Sequence, residues 1–401
     1  MTTIRHTLLL TLPLILSIAT SAFAQQTQDS STLPPTIAER IKEHAPDRLQ
    51  QWEALYQASD AQQQPGIAFQ LANMPLADLQ ELDVELLRSN TEWAYQVWNE
   101  TPWKDAVPES VFLNDVLPYA NIDETRESWR EDFHKQFSPL VAECRTPGEA
   151  AQVLNREIFN KVGVHYSTAR KKANQSPSES IQQGKASCTG LSILLVDACR
   201  SVGVPARLAG IPSWVNKRGN HTWVEVWDQG QWHFTGADEY TDQGLNHTWF
   251  QGDAKLAKKD QRMNSIYAVS FRKTETRFPM VWSRDGSRTV YAENVTDRYT
   301  GSLPADASGQ KLRVRVWNAD RSERVEAKVS LKCEQCVGEE PLRGESRGNR
   351  ADMNDLLEFP IVPGRTYQLL IEHNEQSVNK SLKVSSAEDV LEEIILPEGE
   401  K

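Results

Sequence analysis

Cys188 stands in Gly-Lys-Ala-Ser-Cys-Thr-Gly at 184–190, just ahead of Leu191, Leu194, Leu195, Ala198 and Cys199 at helical spacing. The pattern predicts a helix that begins at Cys188 and stops at Gly203-Val204-Pro205. At such a start, unpaired backbone N–H groups and the positive end of the helix dipole favour a thiolate. Cys199 falls about 16 Å down the same helix, too far to bond with Cys188, and is placed to pack. After a short strand, Ala206–Ile211, and a polar loop come His221–Trp227 and Gln231–Thr235, which read as a hairpin. His221, Trp223, Glu225 and Trp227 share one face. A two-residue loop at Gln229-Gly230 pairs Asp228 with Gln231 and, carried on in register, sets His221 opposite Asp238. A thiol, an imidazole and a carboxylate so placed are what nucleophilic thiol catalysis requires. The base takes the thiol proton, the thiolate attacks a carbonyl, and the imidazolium returns the proton to the leaving amine. The backbone N–H of Cys188 is a natural oxyanion donor, and Gln182, six residues earlier, is a further candidate.

The elements around this segment divide the chain. Arg5 and His6, an apolar run from Leu8 to Ile18, and Ala22-Phe23-Ala24 read as a cleaved signal peptide over 1–24, which predicts export to the periplasm or the cell exterior. The run is broken by Thr11 and Pro13 and is too short to span a bilayer, and no later stretch is apolar enough. Residues 25–35 read as a disordered leader. Residues 36–135 read as helical, with Leu79, Leu82, Leu86, Trp93 and Val97 on one face of a single long helix after Pro75. Trp98, Trp103 and Trp129 suggest either a ligand surface or packing against the next domain. Residues 136–300 carry the thiol segment, and 301–310 is a Gly/Ser/Ala/Pro linker. Residues 311–398 predict a small β-sandwich with strands near 312–317, 325–332, 356–362, 366–372, 381–384 and 392–396, with no catalytic constellation of its own.

The formal net charge of −11 argues against a nucleic-acid partner. Five cysteines leave at least one unpaired if the others pair. Cys333-x-x-Cys336 could be a disulfide, a metal half-site or a redox pair. No second such pair or His cluster completes a zinc site, and the flanks do not open a helix, so a structural disulfide is expected. No metal or cofactor ligand set is seen, and the expected partner is a protein or peptide substrate.

Four motifs fall in order over about 55 residues: Ser-Cys-Thr-Gly-Leu-Ser at 187–192, Gly-Val-Pro-Ala-Arg at 203–207, Asn-His-Thr-Trp-Val-Glu-Val-Trp at 220–227, and Gln-Trp-His-Phe at 231–234. Together they resemble the transglutaminase-like superfamily, whose core is also found in peptide:N-glycanases. The resemblance implies an α+β, papain-like core with the nucleophile helix packed on an antiparallel sheet. It makes Cys188 the nucleophile, His221 the base, and Trp223 and Glu225 structural residues. The Val-Pro-Gly-Arg-Thr-Tyr turn in the tail resembles carboxypeptidase-regulatory-like and immunoglobulin-like accessory domains. In relatives the third catalytic residue is an aspartate at the position of Gly236, which leaves Asp238 first and Glu239 second to fill that role. The implied function is a cysteine enzyme acting on amide or peptide bonds through a thioester, hydrolytic rather than crosslinking. The rival is an impaired core serving as a scaffold.

Overall fold

The computed structural model describes residues 32–217, 219–283, 288–301, 310–385 and 388–398. The expected signal peptide, most of the leader and most of the linker lie outside the described residues.

The first part is helical. The single long helix expected after Pro75 is two, Leu76–Glu81 and Val84–Glu100. Asp83 breaks them by capping the second, its carboxylate accepting from the Glu85 N–H at 3.0 Å. The break shifts the buried stripe to Leu87, Thr91, Ala94, Val97 and Trp98, leaving Leu86 and Trp93 half-buried. Trp98, Trp103 and Trp129 are all core residues. Trp103 donates to the Gly203 carbonyl at 2.8 Å and Trp129 to that of Tyr119 at 3.1 Å, so they pack and do not form a surface.

The helix Cys188–Ser201 is the centre of the molecule. Ser187 caps it by accepting from the Gly190 N–H at 3.0 Å while donating to the Ala173 carbonyl at 2.6 Å. Every residue after Cys188 in this helix is buried. It packs on a six-stranded antiparallel sheet of order Gln231–Thr235, His221–Asp228, Ala206–Ile211, Tyr267–Ser270, Tyr291–Asn294, Thr276–Arg277. Two polar contacts set the helix against the His221 strand. Thr189 Oγ1 donates to Thr222 Oγ1 at 3.1 Å and Ser192 Oγ to the Thr222 carbonyl at 3.2 Å. Thr222 thus pins the first turn of the helix, and the residues on either side, Cys188 and His221, are brought together.

The C-terminal strands form two sheets over one apolar core, the expected β-sandwich. Its four-stranded sheet runs Leu342–Glu345, Lys328–Cys333, Thr366–His373, Gln376–Lys383, and its three-stranded sheet Leu357–Pro360, Lys311–Trp317, Val390–Ile395. Leu342–Glu345 was not expected. Cys333 and Cys336 are disulfide-bonded, and Cys144, Cys188 and Cys199 are free.

Candidate active site

Cys188 opens into a cavity of about 590 Å³ whose walls include His165, Tyr166, Leu191, Asp238, Glu239, His247 and Trp249. His247, in a loop, also lines this cleft. His221 lies behind Cys188 at 1% exposure, its ring 4.9 Å from both Trp249 and Phe250. This aromatic nest fixes the plane of the imidazole.

The hairpin register is as expected from Asp228 opposite Gln231 to Val224 opposite Thr235, and there it ends. It does not reach His221 and Asp238. Asn155, from the helix Pro147–Val162, bonds the Thr235 hydroxyl and the Gly236 carbonyl and accepts from the Asp238 N–H. These bonds turn the chain away from the sheet, and Asp238 adopts φ 63°. Its carboxylate meets His165 Nδ1 at 2.9 Å instead of His221. Gln182 is exposed on the helix Pro177–Gln183 and is not among the cavity's lining residues.

Two other carboxylates face the imidazole. Glu239 Oε1 is 4.0 Å from His221 Nε2, and Asp352 Oδ2 is 3.6 Å from Nδ1. Asp352 comes from the β-sandwich, in the loop between Leu342–Glu345 and Leu357–Pro360, where no chemistry was expected. Its carboxylate accepts from the backbone and side-chain N–H groups of Asn354, at 2.8 and 3.0 Å. Arg324 holds the loop from beneath through the carbonyls of Arg347, Asp352 and Asp355. On the core side, Tyr166 Oη accepts from the Met353 N–H at 3.2 Å, and Asn354 Nδ2 donates to the Asn220 carbonyl at 2.9 Å. Asn354 lies so close to Gly219 that a Cβ there would fall 2.4 Å from its Oδ1, and Gly219 also has φ +104°. A side chain at 219 would push the loop out. The one sequence signal for Asp352 is the local turn in Asp-Met-Asn-Asp at 352–355, which carries no information about a partner in the core.

Burial works against a charged His221, but Asp352 outweighs it, with help from Cys188 and Glu239, and the imidazole titrates well above its ordinary range. Burial likewise opposes a charged Asp352, and His221 with the Asn354 N–H groups holds it below the usual carboxylate range. Burial pushes Glu239 up to about 7, with His221 and Trp249 pulling it down and Asp352 and Asp355 pushing it further up. Asp352→Asn is expected to lower the His221 titration, read from its Hε1 resonance against pH, because it removes the strongest charge favouring the imidazolium.

The ligand-type atoms of Cys188, His221 and Asp352 all lie within 4.8 Å of one another, a spacing that could also suit a metal ion. A metal needs a neutral imidazole, whereas Asp352 favours a protonated one. The arrangement fits a thiol, its proton acceptor and a counter-charge.

Residues 135–236 match the family described as the transglutaminase-like superfamily. This chain carries a transglutaminase-like core. The match takes in Cys188 and His221 and ends at Gly236. Among solved structures the chain is similar to red sea bream transglutaminase, at 9% identity and TM-score 0.33 over 71% of this chain and 66% of that one. It is also similar to a candidate cysteine protease from Cytophaga hutchinsonii, at 17% identity and TM-score 0.26 over 42% and 61%. A third likeness is to a candidate protease from Parabacteroides distasonis, at 6% identity and TM-score 0.24 over 75% and 54%. The chain therefore spans between about half and two thirds of the length of each. No curated protein matches it.

Proposed function

We propose that this protein is an exported cysteine enzyme that cleaves amide or peptide bonds through a thioester on Cys188. The observation that carries this reading is the Cys188 thiol within 4.8 Å of a buried imidazole, at the wall of a cavity large enough for a peptide segment. His221 accepts the thiol proton, and the resulting imidazolium protonates the departing amine. The backbone N–H of Cys188, at the helix start, serves as the oxyanion donor. Water then releases the acyl group, and the transglutaminase-like core supports the same two roles. Export rests on the first 24 residues alone. No helix among the described residues is long and apolar enough to cross a membrane.

A second reading, transfer of the acyl group to an amine, is favoured by the cavity's carboxylates, Asp238, Glu239, Asp352 and Asp355, which would attract an ammonium group. One experiment separates the two. The full chain is incubated with a library of peptides and peptide esters, with and without a primary amine, and followed by intact mass. An acyl adduct lost in Cys188→Ala is expected, decaying to free acid in water. Decay only when amine is present would select transfer, and no adduct from any acyl donor would remove the enzyme reading.

A further inference from the structure

Gly236 has an ordinary backbone conformation, so its lack of a side chain needs another reason. A Cβ built there would fall 1.8 Å from Glu239 Oε2, 2.6 Å from its Cδ and 2.9 Å from its Cβ. The Glu239 side chain therefore folds back across the Gly236 Cα and fills the space a side chain at 236 would take. From there its other oxygen, Oε1, faces His221 Nε2 at 4.0 Å.

The two ring nitrogens face different groups. Asp352 is at Nδ1, and since the thiol lies within 4.8 Å of both the ring and the Asp352 carboxylate, we assign it to that same edge of the ring. A carboxylate that orients an imidazole for proton transfer must hold the nitrogen opposite the nucleophile. Asp352 is on the wrong edge for that task, and Asp238 is committed to His165. Glu239 is, among the described residues, the carboxylate at the opposite edge. Among the described residues its Oε2 is buried without a hydrogen-bond partner, so the imidazole, with Trp249, is what offsets the cost of ionising it. At 4.0 Å the contact is longer than a hydrogen bond, as catalytic contacts often are before substrate tightens them.

We infer that Glu239 is the positioning carboxylate of His221, and that position 236 is glycine to make room for it. Asp352 then acts from the thiol's edge, as a charge favouring the imidazolium. The inference rests on the reading of Cys188 and His221 as nucleophile and base, and it gives the site a carboxylate reached from position 239 with its space supplied by position 236.

The test is the rate of Cys188 alkylation by iodoacetamide between pH 5 and 9, measured by mass spectrometry on the full chain. Charged or titrating groups facing the pair are Asp352, Glu239 and Tyr166 and, further out across the cavity, Asp355, Arg350, His247 and the Asp238–His165 pair. Glu239→Gln keeps the shape and removes the charge. It should lower labelling severalfold near pH 7.5, where Glu239 is ionised although burial pushes it up to about 7, and leave it near wild type at pH 9, where a thiol ionises unaided. In the double variant Gly236→Asp with Glu239→Gly, which also removes the Cβ that would lie 2.9 Å from the new one, the new carboxylate starts from the volume the old one filled and should restore most of the loss. A purely structural role for Glu239 would show neither the pH-selective loss nor the rescue. Wild-type labelling at pH 7.5 in Glu239→Gln, together with its fall in His221→Ala, would overturn the inference and leave the Cys–His reading intact. Wild-type labelling in His221→Ala would instead remove that reading. Should the double variant not fold, Glu239→Gln decides alone.

Discussion

His221→Ala is expected to lower turnover of an acyl substrate by about 10²–10⁴-fold, the usual contribution of a positioned general acid–base, and to suppress alkylation of Cys188 near pH 6. The expectation follows from the surroundings of the thiol. Cys188 begins its helix with the favourable end of the dipole, but the full charge that can stabilise a thiolate there is the His221 imidazolium, kept protonated chiefly by Asp352. Without the ring, a thiol near the ordinary value of ~8.5 is almost wholly protonated at pH 6. The background is low because the other free thiols are poor targets. Burial pushes Cys144 up, with Glu149 and Glu143 adding to it, and Cys199 lies fully buried in the core, its thiol pushed up by the same cause. His221→Gln, which fills more of the space between Trp249 and Phe250, should lose the same reactivity with less loss of fold. Equal labelling of all three proteins at pH 6 would show that the two side chains do not act together.

The parts of this site that were legible in sequence are those fixed by local periodicity. The apolar stripe after Cys188 and the Gly-Val-Pro stop define the helix, and the alternation from His221 to Trp227 defines the strand and its hairpin register down to Thr235. What failed was the extrapolation past Thr235. A register argument assumes the ladder continues, and Asn155, a residue from a helix far back in the chain, ends it by holding the Gly236 carbonyl and the Asp238 N–H and so drawing the end of the strand towards that helix. Long-range polar capture of this kind has no periodic signature. The break at Asp83 is different in kind, since an aspartate ahead of Val84-Glu85 is a recognisable cap and the stripe from Leu79 to Val97 ran across it. Asp352 was illegible for a topological reason. It sits in a loop of a separate sandwich, and the docking of that loop on the core, Met353 on Tyr166 and Asn354 on Asn220 and Gly219, brings it to the imidazole.

The sheet that carries His221 depends on a buried charge, and Glu225→Ala is expected to destabilise the core by about 3–5 kcal/mol. Glu225 is fully buried two strand positions beyond Trp223. Its Oε2 accepts from Arg207 Nε at 2.9 Å and its Oε1 from Tyr299 Oη at 2.9 Å, with Arg298 also bonded to Oε1. Tyr299 in turn accepts from Trp223 Nε1 at 2.8 Å, so the network reaches the aromatic cluster around His221. Removing the carboxylate leaves Arg207, 2% exposed, with the exposed Glu293 and the buried Asp115, itself pushed up to about 6 by burial, as counter-charges. In calorimetry the transition of the core should fall by on the order of 10 °C. The cost comes from the stranded guanidinium more than from the worth of the pair, so Glu225→Leu combined with Arg207→Met should recover much of it. The pH dependence gives an independent check. Burial opposes ionisation of Glu225, but Arg207, Arg298 and Tyr299 prevail and hold its carboxyl below the usual range. A depressed folded-state value means the stabilisation is fully present above the unfolded value of ~4.3 and is lost as pH falls through the folded one. The gap between wild type and Glu225→Ala should therefore be constant near neutrality and narrow on acidification. A gap that widened in acid would mean that Glu225 is held in its neutral form and that the network is not ionic.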